Sequence, residues 1–166
     1  MNVFSSLETT AEVSVTFAGF ISIFLVLARR DGFFAAEIAV LIRFILLGSI
    51  VSLFLAVLPL VAGGIGLTDT SLWRAASVIG LTTGIGMGFF AASQRRGLSD
   101  PEVTFFVRIA WVLASLSSLA FVANIVGWPL SPNGGSYLAG IWFILAIVSV
   151  NLIDVVFRFA LKEPAA

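Results

Sequence analysis

Five apolar stretches separated by short polar turns run along this chain. They cover about residues 11–28, 35–62, 72–93, 103–126 and 136–161, and each is long enough to cross a bilayer, which takes about 20 apolar residues. In the second, the uninterrupted apolar part is Phe44 to Ala62, and the portion before it carries Glu37 and Arg43. Hydrocarbon offers no water to unpaired backbone groups, so spans of this length are helical. The pattern therefore predicts an all-α polytopic membrane bundle of five transmembrane helices, forming one integral membrane domain over residues 1–166. Five spans do not divide into two equal halves, which disfavours an inverted-repeat transporter plan.

The punctuation between the spans carries helix signals. Ser5 with Glu8, and Thr9 with Glu12, have capping-box spacing, so either pair can start the first helix. Met1 to Thr10 has no Lys or Arg and so lacks the basic region of a signal peptide. Arg29-Arg30-Asp31-Gly32, Gly63-Gly64-Ile65-Gly66 and Gln94-Arg95-Arg96-Gly97 read as breaks. Thr68-Asp69-Thr70-Ser71 offers caps for the third helix, and Ser99-Asp100-Pro101-Glu102 is a start signal for the fourth. Pro59 is expected to kink the second span near its far end. Gly127 to Gly135 reads as a loop.

Within the third span, small residues recur at every fourth position: Ala76, Gly80, Gly84, Gly88 and Ala92. Glycine costs a water-soluble helix about 1 kcal/mol per residue. In lipid, small residues let helix backbones approach closely. The row predicts that the third span is the helix against which the others pack. A four-residue step turns a helix through about 400°, so the row drifts roughly 160° from end to end. Its two ends then face one partner only across an oblique crossing. Shorter rows stand on the first span (Ser14, Ala18, Ser22) and the fourth (Ala110, Ala114, Ser118).

Composition narrows the chemistry. Hydrophobic residues make up 60% of the chain and charged residues 11%, with cysteine and histidine both absent. No disulfide, thiolate or imidazole chemistry is available, and the single lysine is Lys162, so no buried lysine can hold a Schiff-base cofactor. No nucleophile–base pair can be assembled, and neither an enzyme nor a bound cofactor or metal is expected. Gly63-Gly64-Ile65-Gly66 lacks the strand and Lys of a phosphate loop, and Gly84-Ile85-Gly86-Met87-Gly88 lies inside a span. The net charge is zero without a basic patch, which argues against nucleic acid.

Arginine placement predicts orientation. Arg29, Arg30, Arg95, Arg96, Arg158 and Lys162 fall on one side of a five-span layout, with Arg43 and Arg108 nearer to it and Arg74 opposite. The positive-inside rule then puts the N-terminus outside and the C-terminus in the cytoplasm. Trp73, Trp128 and Tyr137 are expected in the outer aromatic belt, and Asn124 at the same interface.

Charged groups at membrane depth are costly and are functional candidates by default. Glu12 and Arg74 have matching depths near the outer side and form a candidate pair, either a structural tie or an ion-binding vestibule. Asn151, Asp154 and Arg158 are three and four residues apart and share one helix face, where Asp154 and Arg158 can pair. Arg43 and Arg108 reach a similar depth, which outlines a cytoplasmic-side cluster. It reads either as snorkelling arginines around one ion pair or as a solvated mouth that attracts anions. The hydroxyls of Thr82, Thr83, Ser115, Ser117 and Ser118 either bond their own helix carbonyls or line a water path.

The run Ala11-Glu12-Val13-Ser14-Val15-Thr16-Phe17-Ala18-Gly19-Phe20, with Trp73-Arg74 downstream, resembles the opening of small multi-span bacterial membrane proteins of uncharacterised function. The resemblance covers about the first three spans. It implies a bacterial inner (plasma) membrane, carries no activity, and draws attention to Glu12 and Arg74.

These features lead to a non-enzymatic, self-associating membrane protein with a channel-like or solute-passing role as a homo-oligomer in the lipid bilayer. The alternative is an accessory or scaffold subunit of a larger membrane complex.

Overall fold

A computed structural model describes residues 3–30, 36–64, 66, 69–95, 103–130 and 132–161. The described residues form five helices: α1 (Val3–Arg30), α2 (Ala36–Gly64), α3 (Asp69–Arg95), α4 (Val103–Val126) and α5 (Gly134–Leu161). Each is long and apolar enough to cross a membrane, which makes the chain a multi-pass membrane protein in outline. The expected spans are met with changes at their ends. α1 starts at Val3 and runs through both capping-box candidates, with Thr9 Oγ1 donating to the Ser5 carbonyl instead of capping a later start. α2 continues through Pro59 to Gly64, and Gly66, at φ +90°, turns the chain with its N–H on the Gly63 carbonyl at 3.2 Å. The basic turn at Asp31-Gly32 and the start signal at Ser99 to Glu102 lie outside the described residues.

α2, α3, α4 and α5 stand in a ring, each touching the next, with the α2–α3 seam the loosest. α1 packs outside this ring against α2 and α5. The hub is therefore α5, which meets all four other helices, and not α3 as the small-residue row predicted. Half of the apolar window of α2 and 44% of that of α5 are buried, against 17% for α3. A helix of glycines offers little side-chain surface to several neighbours, whereas the isoleucines and valines of α5 reach across the bundle.

Two apolar clusters hold the bundle. The first draws on every helix, with Leu7, Leu55, Ala76, Phe121 and Tyr137 among its members. The second, at the opposite end, comes from α1, α2 and α5 alone, through Ile21, Ile42, Ile45, Val148 and Val155. α3 and α4 thus leave the packed core toward the α3 C-terminus.

The predicted drift of the small-residue row is visible in its burial. Ala76 and Gly80 are buried, Gly84 and Gly88 are half-buried, and Ala92 is exposed. Close approach is confined to the first part of the row. A Cβ at Gly80 would lie 2.8 Å from the Phe121 ring, and one at Gly140 would lie 2.6 Å from the same ring. Phe121 is a wedge that fits because both flanking helices carry no side chain there.

Candidate functional site

Where α3 and α4 leave the core, the four ring helices enclose a partly open cleft with a volume of about 100 Å³. Its α3 wall takes in Gly80, Gly84 and Gly88 of the small-residue row, with Met87 and Ala91 beside them. A Cβ at Gly84 would meet nothing within 4 Å, and one at Gly88 would meet only Trp111, at 4.0 Å. Ala110 and Ala114 of α4 face it with equally small side chains, and Phe121 closes the end nearest the core. α2 supplies Phe44 and Gly48, with Gly48 held free of a side chain by Val148, whose Cγ2 lies 2.6 Å from where a Cβ would stand.

One polar side chain lines the cleft from α5. Asn151 is 3% exposed, and among the described residues its amide has no hydrogen-bond partner. The two serines of the wall are already engaged: Ser117 Oγ donates to the Gly140 carbonyl at 2.8 Å, and Ser118 Oγ donates to the Ala114 carbonyl at 2.9 Å. Thr82 and Ser115 likewise donate to carbonyls of their own helices. The hydroxyls of Thr82, Ser115 and Ser118 therefore close their own backbones, while that of Ser117 ties α4 to α5 instead.

The charged candidates sit apart from the cleft. Arg158 Nε donates to Asp154 Oδ1 at 2.8 Å, the pair its spacing allows. Arg43 and Arg108 are exposed, and neither forms an ion pair with Asp154 among the described residues. Glu12 and Arg74 are also exposed and are not joined to each other; a Cβ at Gly127 would lie 3.6 Å from Arg74 Nη2. The expected grouping of Arg43, Arg108, Asn151, Asp154 and Arg158 thus divides into one ion pair, one amide in a cleft and two surface arginines. Among the described residues, no group of three or more acidic, His or Cys side chains could hold a metal ion.

Sequence reasoning missed the polar tie at the other end of the bundle. Asn124, expected at the interface, is 1% exposed. Its Nδ2 donates to Ser77 Oγ at 2.8 Å and its Oδ1 accepts from the Asn133 N–H at 2.8 Å, which joins α3, α4 and the entry to α5. Asn133 Oδ1 in turn accepts from the Ser136 N–H at 2.9 Å and caps α5. Tyr137, expected in the outer belt, is fully buried, with its ring centroid 5.8 Å from that of Trp73 and 5.7 Å from that of Phe121. Trp128 is exposed, as a belt residue is. An asparagine in an apolar run was the available signal for the tie; nothing in the sequence around Tyr137 signalled its burial.

No protein-family model, curated protein or solved structure matches this chain.

Proposed function

We propose that this chain is a non-enzymatic membrane protein that self-associates and passes small solutes along the seams between its subunits. The observation behind this reading is the placement of Glu12, Arg43, Arg74 and Arg108: all four lie inside candidate spans, are exposed on the protomer, and have no ionic partner within it among the described residues. Charges facing lipid are costly, and a wet interface between subunits removes that cost. A closed ring of identical subunits is the ordinary way to build such an interface. The reading includes an outside N-terminus, a cytoplasmic C-terminus and a bacterial inner membrane.

The test is the native mass of the gently extracted protein, followed by conductance after reconstitution. A ring of identical subunits whose ion flux falls with Arg43→Gln or Arg108→Gln supports the proposal. A silent bilayer with both variants unchanged overturns it. A defined mass containing other polypeptides would replace it with the accessory-subunit reading.

A further inference from the structure

We infer that the cleft among α2, α3, α4 and α5 is a binding site for an uncharged, membrane-dissolved molecule that carries a carbonyl group on an apolar body, with the Asn151 amide as its hydrogen-bond donor. The site is independent of whether subunits associate or pass solutes.

Three observations select this chemistry. The walls are apolar or small, and no charged side chain lines them, so a charged ligand would lose its hydration without compensation. The open space beside Gly84 and Gly88 admits an extended chain or a flat ring against bare helix backbone, with Trp111 beside it. The Asn151 side chain, 3% exposed, has no hydrogen-bond partner among the described residues and lines the cleft, so its amide is placed to donate to a molecule bound there.

Depth narrows the class further. Asn151 stands ten residues from the α5 end at Leu161, about 15 Å along the axis, and only about 5 Å from the helix midpoint. The ester carbonyls of a bilayer phospholipid sit at the hydrocarbon edge, about 15 Å from the midplane. The ligand is therefore a molecule that lies wholly within the hydrocarbon, such as a quinone ring with an alkyl tail or a neutral acyl ester.

The experiment uses the full-length protein in detergent micelles, with unfolding temperature followed against probe mole fraction. The probes are decyl-substituted benzoquinone, methyl laurate, and decylbenzene as the carbonyl-free control. At least one carbonyl probe should bind about tenfold more tightly than decylbenzene, the scale of one neutral hydrogen bond. Preference for the quinone or for the ester names the source. Asn151→Leu should abolish the preference while keeping hydrocarbon binding. Gly84→Leu, which fills open space, should abolish stabilisation by every probe. Equal binding of all three probes to the native protein, or a preference that survives Asn151→Leu, overturns the proposal. Should Asn151→Leu fail to fold, unchanged binding by Gly84→Leu does so alone.

Discussion

Tyr137 Oη donates a 2.6 Å hydrogen bond to the carbonyl oxygen of Leu55. Leu55 stands four residues before Pro59, which has no N–H to return the helical bond. The tyrosine of α5 thus replaces the backbone donor that α2 lacks, in a core where no water can. This explains how α2 carries a fully buried proline in its interior. Tyr137→Phe should destabilise the protein by about 1–3 kcal/mol by leaving Leu55 O unpaired. In a Pro59→Ala background the alanine N–H can serve the same oxygen, so the tyrosine substitution should cost less. A double-mutant cycle on unfolding in detergent measures the coupling; additive losses would show that the two residues act separately.

The small-residue row should split by position. Gly80→Val drives side-chain atoms into Phe121 and should cost about 1–3 kcal/mol, as overpacking does. Phe121→Leu in the same chain should recover part of it. Gly84→Ala points into open space and should be neutral or stabilising by up to about 1 kcal/mol through helix propensity. Thermal unfolding of the three variants checks the contrast.

Asn124→Leu should cost about 1–3 kcal/mol, because it removes the hydrogen bonds to Ser77 Oγ and from the Asn133 N–H beside a buried core. Hydrogen exchange should show the loss as faster opening at the N-terminal end of α5 before other helices respond.

The absence of native cysteine makes topology directly measurable. With an outside N-terminus, Leu130→Cys should react with a membrane-impermeant maleimide on intact cells, and Gln94→Cys should react only after the membrane is opened. The reverse pattern would invert the orientation.

The spans were legible because bilayer thickness and backbone satisfaction leave an apolar run of that length one outcome. α4 falls on its expected range, and α3 and α5 depart from theirs by two or three residues. Helix neighbours were not legible. The four-residue row on α3 is compatible with close packing and with an empty wall, and the same residues do both: Gly80 takes the ring of Phe121, while Gly84 and Gly88 leave space. Which outcome holds depends on whether the facing helix sends in a large side chain, and that is a property of α4. Asn151 was noticed for its spacing to Asp154, yet its place in the cleft follows from α3 and α4 standing outside the second core cluster, which no local pattern records. Tyr137 and Pro59 are 78 residues apart, and only the fold introduces them.

The hub of this bundle is also the helix that the ribosome makes after the other four. Until α5 arrives, neither core cluster has its central members, and α2 holds a proline with an unanswered carbonyl. Without α5, α1 with α2 and α3 with α4 form two closely packed pairs joined only through α2 and α3, the loosest seam of the ring. α5 is therefore the fastener of two otherwise weakly joined pieces, and a nascent chain halted before residue 134 lacks the segment that covers their inner faces.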